Sequence, residues 1–183
     1  MPFKCRVFPG VLSMVALLGG AATASATSLV HQGIESLARD NETILQASVL
    51  DIHSYWDAGH TFILTDVRVR PSLLFKGDAP DELSFTVMGG TVDGITTLII
   101  GGPELVPGSE YVLFLSRIDL PGAKARLSVR DLCQGVFTVR HGRAFSQALG
   151  EPLLPDAQGD AEVPGGADGL PLETLSLRIL ESR

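Results

Sequence analysis

Between His60 and Gly77 the chain alternates for longer than a flat strand in a domain of this size can run. Ile63, Val67, Val69, Leu73 and Phe75 are apolar, and Asp66, Arg68, Arg70 and Ser72 fall between them, the period-two signature of a half-buried β-strand. At roughly 3.3 Å per residue the stretch would reach on the order of 55 Å if straight, about twice the width of a small domain. It must coil or break, and closure into a small barrel is the usual reason.

The stretch before it carries a matching device. Thr43 to Trp56 opens with Leu45, Ala47 and Val49 on one face and then switches to Leu50 and Ile52 on the other. A mid-strand switch of phase predicts a β-bulge near Val49 and Leu50, the irregularity that bends barrel strands. Asp57-Ala58-Gly59 then supplies a hairpin turn. Upstream, Val30, Ile34, Leu37 and Ala38 recur at helical spacing, which predicts a short helix over 28–40, capped by Thr27 or Ser28, weakened by Gly33 and stopped at Asn41.

Downstream, Leu83 to Val87 alternates and predicts a third strand, Gly89 to Gly94 a loop, and the apolar run Ile95 to Ile100 a short fourth strand ended by Gly101-Gly102-Pro103. Tyr111 to Leu115 is continuously apolar, as in a central strand covered on both faces. Further strands are expected at Leu127 to Arg130 and Gly135 to Arg140. The sum is about seven short or bent strands with frequent turns, an all-β barrel or sandwich. Residues 150–171 change character: 14 of the 22 are Gly, Pro, Asp or Glu, which predicts an exposed acidic linker. Pro171 at a first helical position, followed by Leu172, Leu175 and Ile179, then predicts a C-terminal amphipathic helix over 172–183.

The first 26 residues read as a secretory signal peptide. Lys4 and Arg6 supply positive charge, Val7 to Leu18 an apolar core, and Ala24-Ser25-Ala26 a small-x-small site that places cleavage between Ala26 and Thr27. The apolar run is interrupted by Pro9 and Gly10 and falls short of the roughly 20 residues of a membrane span. The mature chain is therefore expected to be secreted or periplasmic, without a transmembrane segment. Removing the leader takes away Lys4 and Arg6 but no carboxylate, so the formal charge moves from −7 to −9 and nucleic acid is excluded as a partner. Cys133 is the one cysteine left after processing, so the mature domain, expected over 27–149, has no internal disulfide and depends on packing.

The order of these features carries a resemblance. A helix, the strand Ile44-Leu45-Gln46-Ala47-Ser48-Val49, then Phe62-Ile63-Leu64-Thr65 leading to Leu74-Phe75-Lys76-Gly77, then Gly108-Ser109-Glu110-Tyr111-Val112-Leu113-Phe114-Leu115, resembles the netrin-like domain of tissue inhibitors of metalloproteinases. It is also similar to a group of exported bacterial proteins with no assigned activity. The likeness spans roughly residues 28–140 and implies a mainly β fold: a small OB-like, netrin-like barrel with a short N-terminal helix and a C-terminal amphipathic helix. By the same analogy a metalloprotease is a conceivable partner. The inhibitors begin with a disulfide-tethered cysteine that chelates the protease zinc, whereas this chain is expected to begin at Thr27. A loose first residue loses conformational freedom on binding, so the resemblance carries the barrel and not the inhibitory chemistry.

Candidates for chemistry are few. Cys133 and His141 share strand parity, but eight residues of regular strand would hold them roughly 26 Å apart. His53 or His60 would have to approach Cys133 through the fold. A buried, inert cysteine is the simpler reading, and Gly-x-Ser-x-Gly, Ser-x-x-Lys and His-Glu-x-x-His are all missing. Asp51, His53, Asp57 and His60 gather near one hairpin with ligand-type atoms, yet hairpin ends carry polar residues simply because they are wet. Neither a metal nor a cofactor is expected. Tyr55 and Trp56 are amphipathic residues of the kind that anchor interfaces, and the backbone of Gly89 and Gly90 can touch a partner. Asp66, Arg68 and Arg70 read as an outward, solvated row.

The leading expectation is an exported, non-catalytic binding module that contacts another secreted or envelope protein, a protease among the candidates. The alternatives are a thiol-dependent hydrolase using Cys133 and a structural envelope protein.

Overall fold

The computed structural model describes residues 29–183, so the expected leader and the cleavage point at Ala26 and Thr27 lie outside the described residues. The elements are β1 (Leu29–Val30), α1 (Ile34–Asp40), β2 (Thr43–Trp56), β3 (Ile63–Lys76), β4 (Leu83–Met88), β5 (Gly90–Val92), β6 (Ile95–Thr97), β7 (Glu110–Leu120), β8 (Ala123–Val129), β9 (Val136–Arg140), β10 (Arg143–Ser146), β11 (Leu153–Leu154), β12 (Leu170–Pro171) and α2 (Leu172–Ser182). The protein is mainly β: an antiparallel sheet in the order β12-β10-β9-β7-β2-β3-β4, with β8 paired to the far half of β7, and two helices. β8 packs against β4, but no ladder joins them, so among the described residues the sheet curls without a closed ring of hydrogen bonds.

The bulge expected at Val49 and Leu50 is present. Val49 faces Val69 and Asp51 faces Arg68, leaving Leu50 as the extra residue. The shift keeps Ile52 against the same apolar cluster as Val49 despite their odd spacing. Two more shifts make Ser72 and Phe75 extra residues on β3, because Ala47 faces Pro71, Gln46 faces Leu73, and Ile44 faces Lys76. The long strand is thus bent by bulges and not uniformly coiled. Its apolar row is divided accordingly: Val67 and Val69 enter one cluster, Phe75 the other, and Leu73 is 48% exposed.

The two clusters lie on opposite faces of the sheet. Leu45, Val67, Val69, Phe85, Leu113 and Leu115 fill the concave face. Ile44, Phe75, Val112, Phe114 and Phe137 pack on the other side against Ile34 and Leu37 of α1 and Leu175 and Ile179 of α2. This explains the unbroken apolar run of β7, which is buried on both sides as its sequence predicts. Each fully buried Leu or Ile of the helices contributes roughly 1.5–3 kcal/mol.

Several expectations change. The helix expected over 28–40 is split: Gly33 is its N-cap and not its weak middle, and Leu29–Val30 pairs in parallel with Leu153–Leu154, a partner far along the chain. Pro171 likewise caps α2 and does not begin it. The fourth strand stops at Thr97, which faces Gly90, the first residue of its partner strand, where Gly89 and Gly90, both with positive φ, turn the chain. Cys133 and His141 are not on one strand. The cysteine sits in a 3-10 turn, Leu132–Gly135, before β9, and His141 lies in the β9–β10 turn. The segment 150–171 is largely exposed but supplies β11 to β1 and β12 to β10, where the Arg143 guanidinium donates to the Asp168 and Gly169 carbonyls at 2.7 and 2.8 Å.

Candidate functional site

One end of the sheet collects the four residues expected to meet a partner. Tyr55 and Trp56 close β2 opposite Leu64 and Ile63, Met88 ends β4 opposite Leu64, and the Gly89 N–H donates to the Ile63 carbonyl at 2.9 Å. The two glycines then do what other residues cannot. Gly89 (φ +90) and Gly90 (φ +125) fold the chain over the paired hydroxyls of Ser54 and Thr65, which are 2.8 Å apart, and Thr65 Oγ1 also donates to the Gly89 carbonyl at 2.6 Å. A Cβ at Gly90 would land on both hydroxyl oxygens. The β5–β6 hairpin is thereby thrown across β2 and β3, and the returning chain passes over Gly89, close enough that a Cβ there would lie 2.8 Å from the Thr97 carbonyl oxygen.

This crossing leaves an open groove of about 390 Å³ lined by Met88, Gly89, Gly90, Leu98, Ile100 and Pro103 among others. Leu98 and Ile100 are 85% and 84% exposed on its wall, where the sequence had suggested a strand. A second hollow of about 410 Å³ opens beside it onto the concave cluster at Ile52, Val67 and Val87, and a third of about 460 Å³ reaches Tyr111 and Cys133. Glu104 lines all three. Its backbone is clamped by Gln147, whose Oε1 accepts from the Glu104 N–H at 2.8 Å and whose Nε2 donates to the Glu104 carbonyl at 2.6 Å.

Tyr55 and Trp56 share this end of the sheet but do not line the groove. The Tyr55 hydroxyl donates to Asp66 Oδ1 at 3.2 Å, an oxygen that also accepts from Thr86 Oγ1 at 2.6 Å. Burial, and then the Asp66 charge, push the phenol above its ordinary pKa. Trp56 stacks with His60 at 6.2 Å between ring centroids. In the outward row, Arg68 and Arg70 both reach Glu82, while Asp66 is half-buried in the Tyr55 network.

The hairpin polar group is arranged for structure. Asp57 accepts from the backbone N–H groups of Phe62, Thr61 and Gly59 at 2.7, 2.6 and 3.2 Å, which holds its carboxyl below the usual range. Among the described residues no group of three or more His, Cys, Asp or Glu side chains is gathered closely enough to hold a metal ion, so Asp51, His53, Asp57 and His60 form no such cluster. Cys133 is 2% exposed, and burial, helped by the negative charge of Glu151, pushes its thiol up to about 11. Such a thiol is protonated at neutral pH and is a poor nucleophile.

Leu98, Ile100, Glu104 and Glu151 in the groove, and Gln147 that clamps Glu104, are residues the sequence pattern does not single out. The available signal was the surplus of apolar residues in Ile95 to Ile100 next to Gly101-Gly102-Pro103, which is more than a three-residue strand can bury. Compared with family models, curated proteins and solved structures, the chain matches none.

Proposed function

We propose that the protein is an exported, non-catalytic binding module that holds another exported protein at the groove between the Gly89-Gly90 crossing and the 98–104 loop. The observation that carries this reading is the exposure of Leu98 and Ile100, 85% and 84%, side by side with an open groove on a single face. Clustered large apolar residues at a surface are held there against the hydrophobic effect, and contact with a partner is the ordinary reason. The protonated, buried Cys133 speaks against thiol catalysis. In this reading residues 1–26 are removed after Ala26. The curled sheet, with β8 packed on β4 and the helices covering one face, is an OB-like barrel of the netrin-like kind, and a metalloprotease belongs among the partners to test.

Two measurements test it. N-terminal sequencing of the protein recovered outside the cytoplasm should begin at Thr27. Affinity capture from the exported fraction should return a stoichiometric partner with the wild-type chain and lose it with Leu98→Asp/Ile100→Asp, a pair chosen because both side chains are already exposed and should leave folding intact. Recovery of no partner, or equal recovery by the folded double variant, refutes the proposal.

A further inference from the structure

The charge around the groove identifies the kind of segment it accepts. Met88, Leu98, Ile99, Ile100 and Pro103 give the 390 Å³ groove its apolar surface, and the charged side chains among its lining are Glu104 and Glu151. Neither carboxylate has an ion-pair partner among the described residues. The backbone that carries each is held: at Glu104 by the Gln147 clamp, and at Glu151 by its N–H donating to the Ala148 carbonyl at 3.1 Å and its carbonyl accepting from the Leu153 N–H at 2.9 Å. The 410 Å³ hollow beside it also has Glu104 as its charged residue, and the 460 Å³ hollow, which both glutamates also line, has Arg140 as its cation, beyond ion-pair distance of either carboxylate. Two carboxylates without an ion pair among the described residues therefore border an apolar surface on a chain whose formal charge is −7.

We infer that the groove binds a segment of the partner in which an apolar side chain is flanked by Lys or Arg. This rests on the proposed reading of the face as a protein-binding site. The apolar side chain is buried against Leu98, Ile100 and Met88, and the flanking cations meet Glu104 and Glu151. Charge complementarity of this kind supplies orientation and rate of encounter more than affinity. The same charges weigh against two other occupants. A membrane surface carrying anionic lipids repels carboxylates at the insertion point, and a second copy of this chain approaches with a net charge of the same sign.

The test is selection of a random displayed peptide library on the wild-type chain, with counter-selection on Leu98→Asp/Ile100→Asp. The expected consensus has an apolar residue with Lys or Arg on either side. The enriched peptide should weaken roughly two- to fivefold for each of Glu104→Gln and Glu151→Gln at low salt, with a flattened salt dependence. An enriched consensus without basic residues overturns the inference, as does enrichment that survives the Asp double variant. So does binding of anionic phosphatidylserine–phosphatidylcholine vesicles that the double variant loses, or a wild-type dimer that it dissolves. Failure here, alongside a stoichiometric exported partner that still depends on Leu98 and Ile100, removes the charge rule and leaves the binding module standing. Recovery of no such partner removes both.

Discussion

Replacing Gly90 by alanine puts a methyl group onto the Ser54 and Thr65 hydroxyls and asks an L-residue to hold φ +125. The strain of that backbone region costs about 1–3 kcal/mol. Displacing two packed hydroxyls, one of which donates to the Gly89 carbonyl at 2.6 Å, adds about 1–3 kcal/mol of overpacking. The expected loss is about 2–6 kcal/mol, a large share of the 5–15 kcal/mol (about) that holds a domain together. Equilibrium urea unfolding of the mature chain measures it, as a lower midpoint at unchanged slope. Gly94→Ala is the matched control: its φ is +78 but nothing lies within 4 Å of the added Cβ, so it carries strain alone. A double-mutant cycle isolates the steric part. In a Ser54→Ala/Thr65→Ala background the Gly90→Ala loss should shrink by at least about 1 kcal/mol, well beyond the additivity error of about 0.5 kcal/mol. Additive losses, or equal losses at Gly90 and Gly94, would refute the claim that the crossing is set by close approach to these two hydroxyls.

Other outcomes follow from single groups. Lys76 Nζ donates to the Ala38 and Arg39 carbonyls at 2.7 and 3.0 Å and caps the end of α1, so Lys76→Met should cost about 1–2 kcal/mol in urea unfolding. The Asp57 carboxyl is held below its ordinary pKa by the Phe62 and Thr61 N–H groups, so its stabilisation is complete above the unfolded value near about 3.9 and is lost as pH falls through the folded one. Urea midpoints followed from neutral pH down to about pH 3 should therefore drop less steeply for Asp57→Asn than for wild type. The Cys133 thiol, pushed up to about 11, should resist a disulfide reagent at about pH 8 in the folded protein and react once denaturant is added. Its sign runs the other way from Asp57: the unfolded thiol ionises first, near about 8.5, so stability should fall as pH rises from there toward 11, and Cys133→Ser should lessen that fall.

Much of the sheet was legible from local pattern. The bulge at Leu50 announced itself as a switch of phase, the central strand Tyr111 to Leu115 as an unbroken apolar run, and α2 as Leu172, Leu175 and Ile179 at helical spacing. The bulges at Ser72 and Phe75 did not show, because the residues kept their odd spacing while the pairing with β2 slipped twice. The groove was half visible. Gly89 and Gly90 were recognisable as turn residues; Tyr55 and Trp56, read as interface anchors, lie at the same end of the sheet but off the groove, beside Asp66 and His60. Glu104 meets Gln147 across 43 residues of sequence, and Glu151 comes to the same groove from still further along the chain.

The sequence by itself determined which residues are extended, where strands bend or end, and how much apolar surface each must hide, because those properties follow from side-chain periodicity and backbone restriction within a few residues. Only the tertiary structure decided which face each apolar row meets and which apolar residues find no cover. Phe75 went to the helices and Val69 to the concave core through slips in a ladder that β2 and β3 share. Leu98 and Ile100 stayed outside because Gly89 and Gly90 steer the hairpin across the sheet and the chain returning from it sets Ile99, and not its two neighbours, against Gly89. Exposure is a property of what arrives from elsewhere in the chain, and no local pattern encodes an absence of neighbours.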